Sequence, residues 1–382
     1  MRGVVVTAAP MQASGRYDDD LWQTLLAGRS LLAPLPDEFL TRTGLDRRPG
    51  PWVAPPSGQP TGVQAAQVMQ RLGKQTRLSA SPQRQRLGLV WGSSKGSLGE
   101  PPESWERTTS FPGRLAPSHP LDVLTTRLRP DRATCPTAAC ATGLVSLIQA
   151  ARWIRWGECD AVVAGSADSS INVAVLASYR RLGVLTAGKP SPFGTGRDGF
   201  AVGSGAAALM LDEFGHASKC GRQPLARWLG DDLRSDPSGL VQADPSGEAV
   251  AVCVGNALAM AGLAPDAIDA ISLHGTGTRQ NDLAEGRGLR RVFGSRLDAI
   301  PAFSVKGAIG HTLGAAGAIE TAVCVRMLAE QIVPPHVMSG PIDLECEVTS
   351  LAPTPREMPL RHVLKLSLGF GGHVAAAVLG RA

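Results

Sequence analysis

Aromatic residues make up only 4% of this 382-residue chain, so its core has to be built from small and branched aliphatics with close backbone approaches. Charge of one sign is in small excess. The 38 Lys and Arg against 33 Asp and Glu leave +5, spread along the chain, which excludes a dedicated nucleic-acid binder. No apolar run reaches the ~20 residues of a membrane span. The best candidate, 144–163, is interrupted by Arg152, Arg155 and Glu158. The seven cysteines are odd in number and form no C-x-x-C. That argues against a disulfide framework or zinc ribbon and for reduced thiols in a cytoplasmic protein. Residues 1–7 form one short apolar strand rather than a signal-peptide core.

What is present reads as alternating strands and helices. In the first half, 4–6, 87–91, 132–137, 160–165 and 206–211 predict strands. Helices are predicted over 20–27 and where Leu144, Leu147, Ile148, Ala151 and Ile154 recur at helical spacing. Pro and Gly mark 47–62 as loop, and 99–120 reads as an irregular excursion. Residues 212–222 turn polar, which suggests a connection between halves. The second half predicts helices over 249–261, 284–293 and 313–328, and strands over 269–273, 302–305 and 363–367. Strand, small-residue turn, Gly143, helix rhymes with strand, turn, Gly317, helix, which suggests a duplicated α/β unit. The halves are expected at 1–215 and 216–382.

Four segments carry chemistry. Cys140, in Thr137-Ala138-Ala139-Cys140-Ala141-Thr142-Gly143, ends a strand and opens an apolar helix, where free N–H groups favour a thiolate. A buried structural thiol fits the same residues. His274-Gly275-Thr276-Gly277-Thr278 follows a strand, where α/β sites gather, although the His could simply cap its own loop. Lys306 and His311 flank a glycine turn ahead of a small-faced helix, and Glu320 can face back toward Lys306. That pair could be catalytic or only fix geometry. Gly369-Phe370-Gly371-Gly372-His373 offers exposed backbone N–H groups, or an ordinary turn.

In this order, and with Lys189-Pro190-Ser191-Pro192-Phe193 and the stretch from Arg197 to Gly205, these segments resemble the β-ketoacyl-acyl carrier protein synthases of the thiolase superfamily. The two histidines mark the elongating Cys-His-His type. The resemblance implies a thiolase-like α/β fold, two duplicated halves in α-β-α-β-α layers. It implies that Cys140 carries the acyl group and that the N–H groups of Cys140 and Phe370 form the oxyanion hole. His274 and His311 would assist decarboxylation of a malonyl thioester, with Lys306 and Glu320 holding the His311 loop. Phe370 would also gate the acyl pocket. Thr276, Thr278, Gly369 and Gly371 would bind substrate. No metal or redox cofactor is needed. The partners would be an acidic acyl carrier protein with its malonyl and acyl thioesters, and a second copy of the chain paired through 132–136, or else a paralogue.

Candidate carrier-binding charges are Arg71, Lys74 and Arg77 at helical spacing, with Arg127, Arg129 and Arg132. Val374 stands where the family commonly has Asn, Arg279 where it often has Pro, and the stretch between Gly92 and Cys140 is short. These departures point to polyketide, polyene or unusual lipid synthesis. Two other readings remain: a chain-length-factor-like partner of a heterodimeric ketosynthase, which typically lacks the nucleophile, and a thiolase or acyltransferase on the same fold.

Overall fold

In the computed structural model, which describes residues 2–35, 52–54, 59–76, 86–96, 116–241 and 243–382, the same five-strand pattern occurs twice. The first set runs, in spatial order, Val4–Ala8, Ser204–Glu213, Ala161–Ser169, Leu87–Gly92 and Arg132–Thr134. Its first two pairings are antiparallel and its last two parallel. The second set runs Ala226–Ser235, His373–Arg381, His362–Gly369, Ala270–Ser272 and Ala302–Phe303, with the same directions. Val4–Ala8 pairs antiparallel with Ala226–Ser235 and joins the two sets edge to edge.

Both sheets are covered on both faces, and residue alternation shows it. Along Ser204–Glu213, Ala207, Leu209 and Leu211 enter the central core while Ala206, Ala208 and Met210 enter an outer one. Along His373–Arg381, Ala375, Ala377 and Leu379 face the same central core, and Ala376 and Val378 face a third. A period of two with both phases apolar is the mark of a strand between two helical layers. The central core holds the helices Thr142–Arg155 and Ala316–Glu330. The outer layers hold Thr61–Thr76 with His119–Leu128, and Glu248–Ala261 with Arg279–Phe293. The expected α-β-α-β-α architecture is therefore present.

The two central helices touch at glycines. A Cβ on Gly317 would stand 2.4 Å from Leu144 N, and one on Gly143 2.5 Å from Ala318 N. No larger residue fits such contacts without moving backbone. Each helix follows a single 3₁₀ turn, Ala139–Ala141 or Leu313–Ala315. Each turn opens on a left-handed residue, Ala139 (φ 47°) or Leu313 (φ 50°), a conformation costing about 1–3 kcal/mol for a non-glycine. The duplication thus places Gly314 in one half where Cys140 stands in the other.

Several boundaries differ from the sequence expectation. Strand 132–137 ends at Thr134, since Pro136 has no N–H to offer, and it lies at the end of the sheet path. Residues 47–62 are not all loop: Trp52–Val53 pairs with Ala33–Pro34, and a helix starts at Thr61. The helix expected from 284 starts at Arg279. The strands Ala226–Ser235 and His373–Arg381 and the helix Val173–Arg181 went unread. Most of the 99–120 excursion, and Arg77, lie outside the described residues. Among the described residues no helix is long and apolar enough to cross a membrane.

Candidate active site

The turn Ala139–Ala141 places Cys140 at the mouth of the first central helix, 6% exposed. Thr142 locks the turn, its hydroxyl donating to Ala139 O (2.7 Å) and accepting from Ala138 N (2.9 Å). Gly369, at the end of the strand His362–Gly369, closes on it; a Cβ there would stand 2.6 Å from Ala138 O and 3.2 Å from Cys140 N. Gly369→Ala should therefore push the Phe370 segment off the Cys140 turn. The expected result is loss of Cys140 acylation by about tenfold or more with a cooperative fold retained, the cost of a misplaced catalytic element. Intact-mass loading kinetics beside a melting curve would check it; unchanged loading would show that the contact is not needed.

The thiolate expectation needs correcting. Burial pushes the Cys140 thiol up to about 11, and the positive charges of Lys95 and Lys306 only partly oppose it. The resting group is a thiol. Below that value the thiolate fraction rises tenfold per pH unit, so Cys140 alkylation by iodoacetamide should still be accelerating above pH 9. A plateau below pH 8 would contradict this.

His274 follows the strand Ala270–Ser272. Its loop hangs on two buried carboxylates of the helix Arg279–Phe293. Glu285 accepts from His274 N (2.5 Å) and Gly275 N (2.8 Å), and Asp282 accepts from Gly277 N (3.2 Å) and Phe193 N (2.7 Å). Burial raises both carboxyls, Glu285 to about 7. Lys306 donates to the His274 carbonyl, and its Nζ lies 3.4 Å from His274 Nδ1. An ammonium has only donors, so Nδ1 accepts and the ring proton sits on Nε2.

His311 is held by its backbone, donating to Ala201 O (2.7 Å) and accepting from Gly203 N (2.9 Å). The ring packs edge-on against Phe200 (centroids 5.0 Å apart) and His274 (5.4 Å). It is 1% exposed, yet neither ring nitrogen has a hydrogen-bond partner among the described residues. Unpaired buried polar atoms cost about 1–3 kcal/mol each, and such a cost is expected where a ligand completes the pairing. Burial first, then the neighbouring lysines, holds both imidazoles well below the usual histidine range. Both are neutral near pH 7, and each keeps one N–H donor.

Beneath the histidines, Glu320 bridges two buried ammonium groups, Lys306 at 2.5 Å and Lys365 at 2.8 Å. Two cations share one anion, so the residual charge beside the histidines is positive. The expected Lys306–Glu320 pair is present, but its ammonium holds the His274 carbonyl rather than the expected His311 loop; Lys365 was missed, hidden in a strand that otherwise reads as apolar. Asp168 was also missed. It accepts from Ser93 Oγ (2.7 Å), Ser94 Oγ (2.5 Å) and Gly314 N (2.7 Å), and so ties the segment after Leu87–Gly92 to the His311 loop. Asp282 and Glu285 had a readable signal, two acids three residues apart on the buried face of one helix.

A cleft of about 800 Å³, open solvent at its mouth included, is lined by Cys140, His274, His311, Thr276, Thr278, Gly369 and Phe370 among others. Gly371 does not line it; with φ 90° it turns its N–H onto Leu240 O (2.7 Å) and holds a neighbouring loop. The arrangement offers a thiol, two neutral N–H donors and a buried positive field around one space, a set suited to acyl transfer through anionic intermediates.

The fold is a layered α/β architecture with this donor set at its centre, and sequence comparison places the chain more narrowly. Residues 132–217 match the model of the β-ketoacyl synthase N-terminal domain, and residues 225–339 that of the C-terminal domain. The chain is 30% identical to 3-oxoacyl-[acyl-carrier-protein] synthase 2 of Coxiella burnetii, over 100% of this chain and 99% of that protein. It is 35% identical to the synthase of the same name from Mycobacterium tuberculosis, over 64% of this chain; the match spans only 60% of that protein's length. A solved structure of a type II PKS acyl-carrier protein in complex with its ketosynthase superposes with a TM-score of 0.89 at 23% identity, over all of both chains. The chain belongs to the β-ketoacyl synthase family.

Proposed function

We propose that this chain catalyses the decarboxylative Claisen condensation of an acyl thioester with malonyl-acyl carrier protein, in polyketide, polyene or specialised fatty-acid synthesis. The observation that carries the reading is the convergence of Cys140, neutral His274 and neutral His311 on one cleft.

In loading, Cys140 sulfur attacks the acyl thioester carbonyl. The thiol proton passes to the departing carrier thiolate, and the N–H groups of Cys140 and Phe370 hold the tetrahedral oxyanion. In condensation, the malonyl thioester loses carbon dioxide, and the bond's electron pair forms an enolate. His274 and His311 donate to the enolate oxygen, and Lys306, Lys365 and Glu320 hold His274 and supply the positive field. The enolate carbon attacks the acyl-Cys140 carbonyl, the carbon–sulfur bond breaks, and the regenerated thiolate takes up a proton. Thr276, Thr278 and Gly369 contact the incoming thioester arm, and Gly371 holds the loop beside it.

The carrier is an acidic acyl carrier protein, the compartment the cytoplasm, and the unit a dimer paired along the edge strand Arg132–Thr134. The boundary between halves falls at 215/216. The chain-length-factor reading is disfavoured because nucleophile and both histidines are present and assembled. Intact-mass analysis with a panel of acyl carrier proteins tests the proposal. The expected result is an acyl adduct on Cys140 that converts to a β-ketoacyl thioester on addition of malonyl-carrier; no adduct with any carrier would defeat it.

A further inference from the structure

Lys95 stands beside the apolar cluster that holds Cys140, over the face of one of its rings. The segment that carries it is pinned by Asp168 through Ser93 and Ser94, and by Gly96 N donating to Ser93 Oγ (2.9 Å). Its ammonium lies 5.1 Å from the centroid of the Tyr179 ring. Tyr179 in turn packs edge-on against Phe200 (5.4 Å) and tilts against Phe370 (6.5 Å). Cys140, Tyr179, Phe200 and Leu313 belong to one buried cluster, with Phe370 packed on it. The Tyr179 ring thus links the Cys140 cluster to the Lys95 ammonium.

Apolar and aromatic surroundings offer an ammonium no hydrogen-bond acceptor. Lys95 makes no ion pair among the described residues, and an aromatic face engages only one side of a group with three N–H donors. Placing a cation in partly apolar surroundings is costly unless an acceptor meets it. Its charge also reaches both Cys140 and His311. We propose that Lys95 is a specificity-determining residue whose ammonium donates to an oxygen on the acyl chain carried by Cys140, so that oxygenated chains load in preference to hydrocarbon ones. This rests on the acyl-enzyme reading of Cys140.

The test compares loading of Cys140 by pantetheine thioesters of equal length: octanoyl, 3-oxooctanoyl, and the monothioester of an eight-carbon dicarboxylic acid. The wild type should load at least one oxygenated ester faster than octanoyl by about tenfold or more, the size of one charge-assisted hydrogen bond. Lys95→Met should bring the ratio near one, and Lys95→Arg should keep it. A cooperative melting curve reports that the fold is intact in each variant. If Lys95→Met does not fold, Lys95→Gln reads the same ratio. Equal loading of all three esters by the wild type, or a preference that survives in Lys95→Met, overturns the role of Lys95 while leaving the acyl-enzyme standing. No adduct from any ester overturns both.

Discussion

Cys140→Ala is expected to abolish covalent acyl loading and condensation while leaving the fold in place. The substitution removes one sulfur atom from a buried turn, and deleting so small a group costs roughly 1 kcal/mol, well within the margin of a chain this size. The chemistry has no substitute. Among the cysteines, only Cys140 lines the cleft; Cys253, Cys324 and Cys346 are buried elsewhere. Cys159 is also buried rather than in a solvated turn as its acidic neighbours Glu158 and Asp160 suggest, and burial raises its thiol to about 11. Cys135, half-buried past the end of its strand, contacts Pro117 O. Intact-mass analysis with an acyl carrier or a cerulenin-type electrophile should give one adduct on the wild type and none on the variant. An adduct that persists and maps to Cys135 or Cys159 would overturn the assignment.

His274→Ala and His311→Ala should each lower condensation by about 10² or more, the typical loss when one oxyanion donor is removed. Acylation of Cys140 should survive in part, because the proposed loading step draws on backbone N–H groups. The two rings are 5.4 Å apart and serve one oxygen in the proposed mechanism, so the double variant should lose less than the product of the single losses. Separate assays of acyl transfer to Cys140 and of carbon dioxide release from the malonyl thioester would read the two half-reactions. Equal loss of both in the single variants would mean that a histidine acts as general base on the thiol.

The duplicated α/β pattern was legible from Gly143 and Gly317 because the close helix crossing tolerates no side chain at either position. The same physics hid two strands. Ala226–Ser235 mixes Arg and Asp with apolar residues, and its Asp231 is buried against Arg152 and Arg155, a compensation visible only in three dimensions. His373–Arg381 is an Ala- and Val-rich run directly after the glycine turn, and alternation between two buried faces leaves no polar phase to reveal a strand. The site residues Cys140, His274, His311, Lys306, Glu320 and Phe370 were readable because each sits in a short segment of unusual local chemistry.

By itself, the sequence determined the class of fold, through the family its motifs resemble, and marked Cys140, His274 and His311 as candidates, since strand-to-helix position and residue chemistry are local properties. Only the tertiary structure decided how those groups behave. Burial pushes the Cys140 thiol up, and desolvation with the neighbouring lysines keeps both histidines neutral. Asp168, Asp282, Glu285 and Lys365 entered the site only when distant segments came together. Desolvation and pairing depend on what surrounds a group in space, and residues remote in sequence supply most of those surroundings.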